Sequence, residues 1–315
     1  MRLFSKTKGG VVIAFIVLFI LLSILSPYFL STTNIINVIR QSVFISIIAF
    51  SMTFVISMGG IDLSVGGTLA MVGVITACLL KAGVGVFYVV LIGLLLGALI
   101  GAINGFLIAI LGVTDFIATL AMMTMLRGII MNITHGVPIF GLRSPSFQYL
   151  CQGYIFGAVP TPIIIMIITF IISYYLMYKT KFGRYTISIG SNFEAARLVG
   201  INIKKIKILV YTLSGLFSGI SGVLLTSRLE AAMPEAGLGY ELEVIAATII
   251  GGTGLAGGEG YLLGTALGAV LMVLIRNGLN LLNVSTFWHQ VVIGGIILIA
   301  VGINKIKFTK NGRNG

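Results

Sequence analysis

Charge is what this chain has least of. Only 9% of its 315 residues are charged, against 58% hydrophobic, and just 8 are Asp or Glu. Soluble domains carry about 25% charged residues, so a water-soluble fold is excluded, in line with a mean hydropathy of +1.13. Cysteine and histidine are as scarce. Cys78 and Cys151 are too few and too isolated for a disulfide framework or a metal site. His135 and His289 lack ligand spacing, and His289 beside Trp288 suits a membrane interface. No nucleophile–base constellation is visible, so the chain is not read as an enzyme. Gly251-Gly252-Thr253-Gly254 lacks the lysine of a phosphate loop, so ATP binding is not expected of this chain.

What is there is positive charge in three places. Fourteen of the 20 Lys and Arg lie at the N-terminus (Arg2, Lys6, Lys8), in an island from Lys179 to Lys207, and at the C-terminus (Lys305, Lys307, Lys310, Arg313). A formal charge of +12 could suggest nucleic acid, but bases gathered between apolar runs follow the positive-inside rule instead. A spanning helix needs about 20 apolar residues. Candidates are Gly10–Leu30, Gln41–Met58, Ser64–Leu80, Val84–Leu111, Phe116–Ile133 and Pro162–Tyr178, then Ile208–Ser227, Val244–Gly252, Tyr261–Leu282 and Phe287–Ile303. The expected fold is therefore an all-α polytopic membrane protein with about ten spans. Residues 1–315 form one transmembrane domain, both termini are cytoplasmic, residues 179–207 form a cytoplasmic loop and residues 304–315 a basic cytoplasmic tail.

The chain also echoes itself. Gly60, Asp62, Leu63, Val65 and Gly73 are matched by Gly239, Glu241, Leu242, Val244 and Gly252, five spans later. An odd offset reverses orientation, which predicts an inverted repeat. Gly97, Gly101 and Gly105 share a helix face, as do Gly260, Gly264 and Gly268, and such faces allow close helix packing.

Within the island, Glu194-Ala195-Ala196-Arg197-Leu198-Val199-Gly200 reads as a short helix ended by glycine. This E-A-A-x-x-x-G segment resembles the coupling segment of ABC importer permeases, although no Leu-Pro pair follows the glycine. Gly59-Gly60-Ile61-Asp62-Leu63-Ser64-Val65-Gly66 resembles the signature of ribose-type sugar permeases. Phe116 to Leu120 with Leu126-Arg127-Gly128, Gly239-Tyr240-Glu241-Leu242 and Asn277 to Leu282 are similar to later blocks of that family. The resemblance implies the membrane subunit of a binding-protein-dependent ABC importer for a ribose-like sugar or the autoinducer-2 signal, in a bacterial plasma membrane. It implies a cytoplasmic ATPase that holds ATP and Mg, an extracytoplasmic sugar-binding protein and a second permease chain as partners, with lipid around them. The chain itself needs no cofactor or metal, and no nucleic acid is involved.

Particular residues then take candidate roles. Glu194, Ala195, Ala196, Leu198 and Gly200 would dock the ATPase, with Phe193, Ala196 and Leu198 against its groove. Asp62, Asn104, Arg127, Asn277 and Asn280 are candidates for the translocation path. Each has a plain counterpart: a helix cap for Asp62, an ion pair for Arg127, and helix-tying amides for the asparagines. Arg143, Arg228, Glu230 and Glu235 are candidates for binding-protein docking, or part of a solvated loop that also holds Glu241 and Glu243. The rival reading is an ion-coupled secondary transporter that uses Asp62 and Asp115 without an ATPase.

Overall fold

The structure is a computed structural model that describes residues 9–142, 144–155, 157 and 159–311. Its order is α1 (Gly9–Leu25), α2 (Thr32–Ser57), α3 (Val65–Lys81), α4 (Val86–Ala109), α5 (Asp115–Thr134), β1 (Ile139–Phe140), α6 (Pro145–Gln152), β2 (Tyr154–Ile155), β3 (Val159–Pro160), α7 (Thr161–Lys179), α8 (Lys181–Ser191), α9 (Phe193–Leu198), α10 (Ile203–Leu229), β4 (Ala231–Ala232), α11 (Tyr240–Ile250), α12 (Leu262–Leu281) and α13 (Thr286–Asn311). Among the described residues, α2, α4, α5, α7, α10 and α12 are long and apolar enough to cross a membrane, and α1 and α3 are shorter apolar helices.

Burial separates central from peripheral helices. From Ser42 to Ser57, α2 is buried on every side, as befits a helix surrounded by protein. On α4 and α5, Phe87, Leu95, Leu99, Phe116 and Ile117 are exposed, the pattern of a face that meets lipid. Small residues bring the centre together. Positions Gly97 and Gly101 on α4 lie against the backbone of α10 at Gly215, Gly219 and Tyr211, where any added Cβ would strike main-chain atoms. Helices α10 and α4 pack closely, α2 packs on α12, α10 and α11, and α3 on α10, α4 and α5.

Helix α1 stops at Leu25 rather than Leu30, and α13 runs on to Asn311, past the expected end at Ile303 and into the expected tail; three further differences bear on the candidate sites. Helix α2 begins at Thr32 rather than Gln41, because Ser31 caps it and accepts from the Asn34 amide at 3.3 Å. Arg40 therefore sits inside the helix, and its guanidinium donates to the Tyr154 hydroxyl at 2.6 Å. The 179–207 island is almost wholly helical: α8, α9 and the first turns of α10 fill it. Thr180, Asn192 and Asn202 cap those three helices in turn. Third, α11 begins at Tyr240, so Glu241 and Glu243 are its first turn and are buried, not members of a solvated loop. Two short antiparallel ladders finish the end opposite the island, β1 with β4 (Ile139 opposite Ala232) and β2 with β3.

Candidate docking and translocation sites

At the island end, α9 is a single helical unit closed at both ends. The Asn192 side chain accepts from the Ala195 amide at 2.9 Å. At the other end, Gly200 has φ +80°. Its amide donates to Arg197 O at 3.0 Å, while the Ile201 amide donates to Ala196 O at 3.1 Å. That is the Schellman stop, which needs a left-handed residue and so favours glycine. Glu194 and Arg197 face each other at 4.0 Å, both well exposed; such a pair adds little stability. Leu198 is 86% and Val199 77% exposed, and Phe193 is exposed as well. Ala196, expected to face a partner, is 3% exposed and packs into the chain's own core. The apolar surface offered outward is thus Phe193, Leu198 and Val199, with Ala196 as its root.

The turn from α2 to α3 carries the first path candidates. Asp62 is 1% exposed. It accepts from the Ser64 amide at 2.9 Å, the Ser64 hydroxyl at 2.6 Å and the Ser214 hydroxyl at 2.7 Å. Asn104 donates to the same Ser64 hydroxyl at 2.8 Å. Asp62 and Asn104 therefore meet through Ser64 in a buried knot that joins α3, α4 and α10. On the island side of the turn, the Tyr211 hydroxyl donates to Asp115 at 2.8 Å, and Lys207 lies 3.8 Å from that carboxylate. Asp115 occupies the first turn of α5, where the helix dipole favours an acid.

The other path candidates lie elsewhere. Arg127 donates to Pro234 O at 3.0 Å and Ala236 O at 2.9 Å, clamping the strand-to-helix loop before α11. Asn277 donates to Asn34 at 2.7 Å and accepts from it at 3.2 Å, a reciprocal amide pair between α12 and α2. Asn280 is exposed at the end of α12. The structure thus brings together two of the five, Asp62 and Asn104.

At the end opposite the island, Glu230 takes a left-handed conformation with φ 50°. It accepts from Gln148 at 2.8 Å and Gln152 at 2.9 Å, which pins α6 over α10. Arg228 lies 5.6 Å above the Phe44 ring. Glu235 is exposed and, with Met233, Pro234, Tyr240 and Leu229, lines a cavity of about 560 Å³. Arg143 lies outside the described residues. Buried Glu243 pairs with Arg276 of α12, whose guanidinium lies over the Tyr240 ring. Among the described residues there is no group of three His, Cys, Asp or Glu that could hold a metal.

Sequence reasoning missed Tyr211, Ser214 and the Glu243–Arg276 pair. It also missed Gln148 and Gln152, the partners of Glu230, although there a signal was available: they stand four apart, on one face of a helix. Tyr211 and Ser214 sit inside an apolar run with no periodic mark, and only the turn at residues 58–64 gives them a purpose.

Residues 34–301 match the family model described as branched-chain amino acid transport system / permease component. The ribose import permease protein of Bacillus subtilis is 46% identical over 301 residues, covering 95% of this chain and 93% of that one. Its counterpart from Haemophilus influenzae is 44% identical over 292 residues, 92% of this chain and 90% of its own. The D-allose transport system permease protein of Escherichia coli is 37% identical over 305 residues, 96% of this chain and 93% of its own. No solved structure matches.

Proposed function

Because this chain belongs to the branched-chain amino acid transport system / permease component family, a multi-pass protein of the bacterial plasma membrane and a transport subunit rather than an enzyme, we propose that it forms the path for a ribose-like sugar in an ABC importer. The carrying observation is the 43–46% identity to three ribose import permeases over more than nine tenths of the chain. A family of this breadth takes its substrate from its nearer relatives, and those named for ribose, allose and arabinose point to sugars, not amino acids. ATP and Mg reside in a cytoplasmic ATPase that docks at α9, through Phe193, Leu198 and Val199. A sugar-binding protein delivers from the opposite side, near Arg228, Glu230 and Glu235. Two permease chains flank the path.

The topology we propose is the one expected from the sequence: ten spans, namely α1 to α5, α7 and α10 to α13, with both termini and the island cytoplasmic. Helix order supports an inverted repeat. The run α2, α3, α4, α5 recurs as α10, α11, α12, α13, starting 171, 175, 176 and 171 residues later. Packing recurs with it: α10 lies on α4 as α2 lies on α12, and α3 touches α10 as α11 touches α2. The ion-coupled alternative asks for a free carboxylate, and Asp62 and Asp115 both hold partners instead.

The test is uptake of labelled ribose into proteoliposomes that hold this chain, its ATPase and its binding protein. ATP-dependent accumulation is expected, lost on Leu198→Asp together with ATPase capture. Accumulation by this chain alone on an ion gradient overturns the reading.

A further inference from the structure

The island does more than carry α9; the far end of α8 is wedged into both halves of the membrane core. A Cβ on Gly190 would strike Ser57 O and the Gly258 amide. Position 257 would meet Gly190 Cα and the Gly59 amide, each at 3.0 Å. Three turns therefore touch main chain to main chain: the end of α8, the turn after α2 that leads to Asp62, and the 251–261 turn between α11 and α12. Polar bonds tie the same three together. The Gly258 amide donates to Ser57 O at 2.8 Å, the Ser57 hydroxyl to Glu259 O at 3.1 Å, and the Ser191 hydroxyl to Gly258 O at 3.5 Å. The end of α7 joins them, because the Tyr178 hydroxyl donates to Gly260 O at 3.0 Å.

We propose that this junction of Gly59, Gly190 and Gly257 is the rigid relay by which a partner's push on α8–α9 moves the α2–α3 turn and the α11–α12 turn together. The inference rests on the reading that an ATPase docks at α9. Backbones in contact cannot slide past a long side chain or swing through a rotamer, so a displacement of α8 passes on with little slack. One of the two driven turns ends at Asp62, whose bonds to Ser64 and Ser214 carry the movement into α3 and α10. The other separates α11 from α12. The two turns belong to different halves of the chain, one after α2 and one before α12, so a single push at the junction acts on both halves. Gly190 is then a positioning residue for transport that never touches sugar or nucleotide.

Two variants test this in proteoliposomes with the ATPase, the binding protein and labelled ribose. Gly190→Ala forces a Cβ between the turns. It should still capture the ATPase, but lose about tenfold or more of ATP-driven uptake, and ATP hydrolysis should cease to respond to loaded binding protein. Gly10→Ala, where nothing lies within 4 Å, is the control for a harmless added methyl. The second variant is Ser57→Cys/Gly260→Cys, across the two driven turns, with Cys78→Ala and Cys151→Ala. A Cβ at 260 falls 3.5 Å from Ser57 Cβ, within the spacing of about 3.5–4.5 Å that a disulfide spans. A rigid junction transports equally well oxidised and reduced. Arrest on oxidation, reversed by reductant, means that the turns part in each cycle and overturns the relay, as does Gly190→Ala that couples like wild type. Should Gly190→Ala fail to insert, the disulfide pair decides alone. Failure of wild type to hold the ATPase removes the docking reading and the relay with it, whereas failure of the variants beside a working wild type removes only the relay.

Discussion

Removing the Ser214 hydroxyl takes from Asp62 one of its three donors in a site that is 1% exposed. A buried carboxylate oxygen left unpaired costs about 1–3 kcal/mol or more. Ser214→Ala should lower the unfolding temperature in detergent, and Asp62→Asn should lose stability too, since the amide puts a donor where the Ser64 or Ser214 hydroxyl now donates. If both variants unfold like wild type, the Asp62 knot is not structural. Cys151 offers a second check outside the spanning helices. Burial pushes its thiol up to about 11, while Arg228 and Arg40 pull weakly the other way. A thiol with a raised folded pKa stabilises fully below its unfolded pKa of about 8.5 and loses that contribution as pH rises toward 11. At pH 7 only about one thiol in 10⁴ is ionised, against a few in 100 for a free cysteine. Cys151 in the folded protein should therefore resist maleimide at neutral pH; rapid labelling would mean that α6 is not seated on α10. Neither property is visible in the sequence, where Asp62 reads first as a helix cap and then as a carrier, and Cys151 as a packing residue.

Elements were more legible than residues, because apolar runs of spanning length announce themselves. What the runs could not give was where a helix with a polar start begins. Helix α2 gains nine residues over its apolar core because Ser31 caps it and Asn34 finds a buried partner in Asn277. That pairing needed a partner 243 residues away, beyond any local pattern. Helix α8 was hidden for the opposite reason: its charged face masks a half-buried face of Phe182, Tyr185 and Ile189. Amide pairs between membrane helices contribute about 0.6–2 kcal/mol. A double-mutant cycle on Asn34→Ala and Asn277→Ala should therefore give a coupling energy in that range, read from denaturation in detergent. A coupling near zero would free Asn277 to serve the sugar path after all. Of the two expected glycine faces, that of α4 behaves as its spacing suggested, whereas Gly260 lies in the turn before α12 and only Gly264 and Gly268 share a helix, against the backbone at Gly251 and Ala247. The α4 glycines meet α10 without a gap, so Gly101→Leu should abolish stable expression, while Gly128→Ala, on the open side of α5, should be neutral.

At the scale of the whole molecule the polarity of the bundle decides whether the reading is coherent. The sequence supplied it through charge: bases collect in the island and at both ends, and the six spans expected before the island would return the chain to the side of its N-terminus. The structure adds a physical separation, since α10 runs 27 residues from Ile203 to Leu229, about 40 Å at 1.5 Å per residue. That is enough to put the α9 docking surface and the Glu235 cavity on opposite faces of a hydrocarbon core of about 30 Å. Single cysteines at Glu194 and Glu235, placed in a cysteine-free background, test this directly with a membrane-impermeant maleimide. Position 235 should label in intact spheroplasts and position 194 only after the membrane is broken or inverted. The opposite result would reverse the bundle, separate α9 from any cytoplasmic ATPase, and leave the junction at Gly190 with nothing to transmit. Labelling of both positions from one side would instead mean an even number of crossings between them, so that α10 does not cross alone. That would break the parity on which the inverted repeat depends, whatever the helices themselves look like.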